Sequence, residues 1–293
     1  MEQLETLRRK IESAEDLHSV VKTMKTLAAV NIREYERAVE SLNAYNQTIE
    51  MGLQILMRHR KKGTLKSEKD YGDHIGAVIF GSEQGMVGQF NDQIVSFSIQ
   101  RMEELQISKQ NRHVLAIGKR VTNRLEDSGQ SVEDHVSLFE SMMDLTSVNQ
   151  EILIKIEEWR LEKDIDQIII FYNRPASKAA YQPALKKLLP LDLKWLQNLE
   201  KKEWPTRVLP LFSMEWDRLF SSLIRQYFFV SLYRATVESL ASENSSRLAS
   251  MHVAEKNIGE RLEEFNTQYQ HRRQETITAE LLDIVSGFEV LSG

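Results

Sequence analysis

The sequence predicts an α/β domain spliced between two very long helices that pair as an antiparallel coiled coil. Three observations predict it. Residues 1–51 contain no glycine or proline, and residues 211–286 contain no proline and one glycine, Gly259. All five prolines (Pro175, Pro183, Pro190, Pro205 and Pro210) fall between those ends. The middle of the chain alternates short apolar runs with amphipathic stretches, the pattern of a mainly parallel sheet with helices between its strands. The boundaries read from these changes are an N-terminal helix over 1–60, a central α/β domain over 61–210 and a C-terminal helix over 211–293.

The first helix rests on a seven-residue repeat. Leu7, Ala14, Val21, Ala28, Tyr35, Leu42 and Ile49 are all apolar or aromatic. The companion positions Leu4, Ile11, Ile32 and Val39 agree, but His18 and Lys25 break the set. Leu17 and Met24 stand one position earlier, so a local phase shift of the seam is expected there. A seam of this kind needs a coiled-coil partner. At 1.5 Å per residue such a helix runs about 75 Å, longer than a globular domain needs.

The last helix repeats the pattern through Trp216, Leu223, Val230, Val237, Met251, Ile258 and Phe265. Its companion set includes Phe220, Tyr227, Ala241, Leu248, Leu262 and Tyr269, with Arg234 and Glu255 as exceptions. Both helices join the same central domain, so a pair between them runs antiparallel. Setting residue 60 beside 211 places Met24 beside Arg247 and Met1 near residue 270. The surplus beyond that level changes character. Ile277, Leu281, Leu282, Ile284, Val285, Phe288, Val290 and Leu291 point to several faces. A helix apolar all round is buried all round, so this tip is expected in a socket supplied by another protein. The plain alternative is a frayed terminus or a tip folded back on the core.

Between the helices, Lys61 to Gly63 and Lys66 to Asp70 read as a charged linker. Three apolar runs follow: Ile75–Phe80 before Gly81, Val114–Ile117 before Gly118, and Ile168–Tyr172 before Asn173. Amphipathic stretches over 91–107, 119–128 and 141–163 read as helices, giving a Rossmann-like α/β domain. Val208–Phe212 is expected as a last strand, and 174–207 as an irregular excursion.

Composition narrows the chemistry. A hydrophobic fraction of 41% is ordinary for a soluble chain, and a net charge of −5 disfavours general affinity for nucleic acid. With no cysteine there are no disulfides and no thiolate metal sites. No apolar run approaches the roughly 18–20 residues that span a bilayer, and the start, Met-Glu-Gln-Leu-Glu, carries no signal core. The loop Gly81-Ser82-Glu83-Gln84-Gly85-Met86-Val87-Gly88 is neither a dinucleotide fingerprint nor a P-loop, and a tight strand-to-helix turn explains it. The seven histidines are scattered, without a metal-binding spacing. No serine nucleophile elbow occurs. No catalytic residue, metal ligand or cofactor is expected.

The termini carry more specific signals. Arg9-Lys10-Ile11-Glu12-Ser13, then Lys22-Thr23-Met24-Lys25-Thr26-Leu27-Ala28-Ala29, resembles the N-terminal helix of the gamma subunit of F-type ATP synthases. Arg273-Gln274-Glu275-Thr276-Ile277-Thr278-Ala279-Glu280-Leu281, then Asp283-Ile284-Val285-Ser286-Gly287, is similar to that family's C-terminal signature. Ser242 to Met251 and the pair Phe171-Tyr172-Asn173 with Leu188-Leu189-Pro190 resemble its internal segments, so the resemblance covers essentially the whole chain. The family's S-D-R-G-L-x-G-G loop stands here as Ser82 to Gln89, and Ser250-Met251 and Gly287-Phe288 also depart. This suggests a divergent branch, such as an alternative F-type ATPase.

The resemblance implies a non-catalytic rotor stalk, one copy per complex. Its partners are the alpha and beta subunits, epsilon and the membrane c-ring, on the cytoplasmic side of a bacterial cell membrane. It implies that Met24, Arg247, Arg273, Gln274 and Thr278 contact the alpha-beta ring, and that Ile277, Leu281, Leu282, Ile284, Val285 and Phe288 form a hydrophobic bearing. Two other readings stay open at this level: a cytosolic coiled-coil scaffold or dimerised α/β enzyme, and a nucleic-acid-binding arm. The arm predicts basic helices. Residues 1–60 carry nine Lys and Arg against nine acids, and residues 211–293 carry eight against twelve.

Overall fold

The computed structural model describes residues 2–60, 74–138, 144–176, 181–205 and 208–292, without the side chains of 2, 3 and 287–292. The expected linker, Lys61 to Asp70, lies outside the described residues. Two compact units emerge: Val30–Arg247, and the pairing of Met1–Ala29 with Leu248–Gly293.

The larger unit is built on a five-stranded sheet. Its strands are β1 (Ile75–Phe80), β2 (Arg112–Ile117), β3 (Asp134–Val136), β4 (Gln167–Pro175) and β5 (Tyr181–Leu189). Their order is β3-β2-β1-β4-β5. The first four run parallel, and β5 returns antiparallel beside β4. β1 lies at the centre with every residue buried, which is why it reads as a continuous apolar run rather than an alternating one.

Alternate residues of β1 serve two cores. Ile75, Ala77 and Ile79 face α2 (Phe90–Glu104) and α3 (Lys119–Asp127), where Ile94, Val95, Val121 and Leu125 close the layer. Val78 and Phe80 face the other layer. There α4 (Leu145–Glu162) packs with α5 (Leu193–Lys201) and with parts of α1 (Glu2–Arg58) and α6 (Trp216–Ser292). Tyr35, Leu53 and Met57 come from α1, and Phe228, Leu232 and Leu240 from α6. The long helices are therefore part of the domain's own core. Gly52 permits the approach: a Cβ there would lie 3.1 Å from Leu223 Cδ1.

Two expectations for the middle need correction, and one strand was not read. Val208–Phe212 is not a strand; Val208 is 76% and Leu211 96% exposed, and Pro210 interrupts the segment. The stretch 174–207 is not an irregular excursion, because it holds β5 and α5. β5 was obscured by Pro183, which an edge strand tolerates because one side of its ladder is unpaired. α5 starts at a cap: Asp192 accepts from the backbone N–H groups of Lys194 and Trp195. The third miss, β3, has three residues and too little periodicity to read.

In the smaller unit, α1 and α6 meet along the two heptad sets read from sequence. Val21, Ala28 and Met251 are buried, and Leu4, Leu7, Ile11, Ile258, Leu262, Phe265 and Tyr269 are half-buried. The expected phase shift is absent at Leu17, whereas Met24 is half-buried like Lys25 beside it. His18 and Lys25 keep the seam positions, while Leu17 stays 58% exposed. Lys25 ion-pairs with Glu255, so two residues that each break the apolar pattern answer one another. Lys10 Nζ lies 5.9 Å from the Phe265 ring.

The register set by residue 60 beside 211 is kept in the larger unit, where Tyr45 meets Gln226 and Trp216 donates to the Leu56 carbonyl. In the smaller unit Lys25 meets Glu255, further along α6 than that register sets. Side chains lean toward the N-terminus of their own helix. In an antiparallel pair, two that meet therefore carry higher numbers than the backbones at that level.

Candidate functional site

The polar stretch of α6 in the larger unit is the part that sequence periodicity did not show. Ser239, Ser242, Glu243, Asn244, Ser246 and Arg247 are all buried. Burial of so many polar groups calls for partners, and the surrounding elements supply several, although Ser239 Oγ makes no hydrogen bond among the described residues. Ser242 Oγ donates to the Asn173 carbonyl at 3.1 Å, at the C-terminal end of β4. Ser246 Oγ donates to the Val87 carbonyl at 2.6 Å, in the glycine-rich loop. Thr236 Oγ1 donates to Asn149 Oδ1 of α4 at 3.0 Å. Asn31 of α1 reaches Asn244 at 3.5 Å. Hydroxyls of α6 thus tie it to a strand end, to a loop and to a second helix.

The glycine-rich loop is held as a turn. Asn91 Oδ1 accepts from the Ser82 N–H at 3.0 Å, and its Nδ2 donates to Ser82 Oγ at 2.8 Å. Glu83 Oε2 accepts from the backbone N–H groups of Lys119 and Leu138, each at 3.2 Å. Gly118, at φ +104°, has no room for a side chain: a Cβ there would sit 2.8 Å from the Ser82 carbonyl oxygen. The loop's polar groups are directed at its own supports.

The residues singled out from sequence fall into two environments. Arg247 is inside: its side chain is 4% exposed and pairs with Glu243, 2% exposed, at 2.6 Å. Its Nη1 also donates to Asn244 Oδ1 at 3.2 Å. Met24 is half-buried in the smaller unit. Arg273, Gln274 and Thr278 are exposed on one stretch of α6, where Thr278 Oγ1 donates to the Gln274 carbonyl. The apolar tip is also open, with Ile277 46%, Leu281 57%, Leu282 61%, Ile284 66% and Val285 55% exposed. Phe288 lies in α6, but its side chain is outside the described residues, as are those of Val290 and Leu291.

Two further polar sites belong to the larger unit. A cleft of about 750 Å³ is lined by residues of α1, α6 and the β4–β5 pair, among them Glu36, Glu40, Arg174, Lys186 and Arg234. Burial pushes the Lys186 ammonium below its ordinary value, and the Arg234 charge adds to this. Burial likewise raises the Tyr172 hydroxyl to about 12.

At the opposite ends of the strands, Glu133 accepts from Trp159 Nε1 at 2.9 Å and Lys163 Nζ at 2.5 Å. It also meets His113 Nδ1 at 2.7 Å. Burial alone would raise this carboxyl, but the bonds from Lys163, His113 and Trp159 outweigh it and hold it at about 2. Among the described residues no group of three or more His, Cys, Asp or Glu could hold a metal ion. No described helix is long and apolar enough to cross a membrane.

The chain and its fold have counterparts among known proteins. A family model described as ATP synthase matches residues 3–291. The chain is 24% identical to the ATP synthase gamma chain of Nostoc punctiforme, with all of both chains covered. It is 25% identical to that of Bdellovibrio bacteriovorus, again with full coverage of both. Among solved structures, it shares its fold with a chain of the Euglena gracilis mitochondrial ATP synthase, in an assembly of OSCP, F1 and c-ring. The TM-score is 0.65 at 18% identity, covering 99% of this chain and 94% of that one. A chain of the Tetrahymena thermophila central stalk and c-ring gives 0.58 at 19%, covering 80% and 99%. Matched along nearly its whole length, this chain belongs to the ATP synthase gamma-chain family.

Proposed function

We propose that the chain is the central rotor stalk of an F-type ATP synthase or ATPase. The observation that carries this reading is the family match over residues 3–291, on a chain whose ends are helices of 57 and 77 residues. In this reading the helix pair turns inside a ring of alternating alpha and beta subunits. The domain over 61–210 meets epsilon and the membrane c-ring, with the arms over 1–60 and 211–293 as its shaft. One copy serves each complex, on the cytoplasmic side of a bacterial cell membrane.

The chain is a non-catalytic subunit, and its work is mechanical. An asymmetric shaft offers each beta subunit a different surface, so its angle sets which nucleotide-site conformer is favoured. A ring can only be shifted by contacts that differ between its states. That role needs stiffness against twist. The two layers of core and the hydroxyl bonds from Ser242 and Ser246 supply it where the shaft meets the sheet.

The proposed ring contacts divide by exposure. Arg273, Gln274 and Thr278 can touch a beta subunit directly, and Met24 does so from α1. Arg247 acts through its buried pair with Glu243, by holding the shape of the shaft. Ile277, Leu281, Leu282, Ile284, Val285 and Phe288 form the bearing in an apolar sleeve of the ring. That occupant explains why a helix end leaves large apolar groups open. The test is Arg273→Ala combined with Gln274→Ala in the assembled enzyme. Loss of coupling between ATP hydrolysis and ion transport is expected, and unchanged coupling would remove these residues from the contact set.

A further inference from the structure

The geometry points to Lys25 and Glu255 as a pin that fixes the rotational phase of α1 in the smaller unit, holding outward an apolar stripe that α1 would otherwise turn inward. The inference concerns the helix pair itself and does not rest on the rotor reading.

The sequence gives α1 two candidate inner faces, one residue and so about 100° apart. One carries Leu17, Val20, Met24 and Leu27; the other carries His18, Val21, Lys25 and Ala28. On apolar content the first should win. The structure takes the second. Val21 and Ala28 are buried, while Leu17 is 58%, Val20 54% and Leu27 57% exposed; of the first face only Met24 is half-buried.

What opposes the hydrophobic choice is the ion pair. Lys25 and Glu255 meet across the seam with side chains only 31% and 22% exposed. A polar pair at a seam position specifies one arrangement at some cost in stability, because the alternative phase leaves a half-buried charge without its partner. The Glu255 carboxyl is held below its ordinary value by the Lys25 hydrogen bond first, with the charges of Lys25, His18 and His252 adding to it. His18 lies about two turns from Lys25 on the same face, so both groups of the second face favour Glu255 ionised and in place. Turning α1 by one position would withdraw Lys25 and His18 together. Lys25 and Glu255 are thus positioning residues for the outward stripe.

The chain contains no cysteine, so an introduced thiol is a unique reporter in the full-length protein. Leu17→Cys and His18→Cys, made separately, report the outer and inner faces through their rate of reaction with a thiol reagent. Lys25→Glu sets two carboxylates against each other and removes the pin. We expect it to slow reaction at position 17 and speed it at position 18, each about fivefold, as one phase replaces the other. The exchange of charges, Lys25→Glu with Glu255→Lys, should return both rates to their starting values. Unchanged rates would overturn the pin. So would acceleration at both positions, which marks separation of the helices, or an exchanged pair that fails to restore the rates.

Discussion

α6 is two different helices in one. Between residues 235 and 247 it is buried and rich in hydroxyls and amides, and Thr236, Ser242 and Ser246 bond to a neighbouring helix, the sheet and the glycine-rich loop. Between 273 and 285 it is exposed and carries large apolar groups that touch nothing of that kind. Polar groups inside and apolar groups outside invert the usual arrangement. The first stretch is explained within the chain. The second makes sense only with a surface that covers it. Stability should therefore depend on the first and assembly on the second.

The largest effect is expected inside. Glu243→Ala leaves the Arg247 guanidinium buried without its carboxylate, and a broken buried pair costs about 3–5 kcal/mol. Thermal unfolding of the isolated chain should show it. A similar loss on Leu281→Ser would erase the contrast between the two stretches. Next comes Glu133→Gln, with an expected loss of about 1–2 kcal/mol near neutral pH, since three donors lose their charged acceptor. Because the folded carboxyl sits at about 2, below its ordinary 4.5, its contribution is complete above that value and is lost as pH falls toward 2. The acid side of the stability profile should therefore flatten in the Gln variant.

Ser246→Ala removes one hydroxyl bond between α6 and the Val87 carbonyl, for which about 1 kcal/mol is expected in urea unfolding. The smallest effect is outside. Leu281→Ser should change the stability of the isolated chain by less than about 0.5 kcal/mol, while weakening its capture by the alpha-beta ring in a co-assembly assay. Equal capture of the variant and the parent would show that the tip is not a bearing.

The sequence made the helices legible because each carries a long, redundant signal. Leu7 to Ile49 and Trp216 to Phe265 repeat many times over, so a few exceptions do not hide the pattern. The exceptions were the part misread. Lys25 and Glu255 look like separate faults until the fold shows that they face each other. Leu17 looked like a replacement because apolar content was weighed without the charge across the seam. β1, β2 and β4 were visible because buried parallel strands are continuous apolar runs. β5 was not, since an edge strand with one open side carries Lys187 and Pro183 without loss.

The candidate site divided in the same way. Arg273 and Gln274 were singled out from the family resemblance, and the apolar tip from composition; both are exposed. The anchoring set of Ser242, Asn244 and Ser246 was missed as such, because a small polar residue in a helix looks the same from sequence whether it faces water or a strand end. Its one available signal was density: five of the seven residues from Ser239 to Ser245 are Ser, Glu or Asn in a helix otherwise paced by apolar groups.

The most direct measurement of the central claim is rotation itself. The chain would be assembled with the alpha and beta subunits of its own complex, with a probe attached to its central domain and ATP supplied. Unidirectional turning of the probe that stops when ATP is removed is expected. An assembled ring that hydrolyses ATP while the chain stays stationary would contradict it.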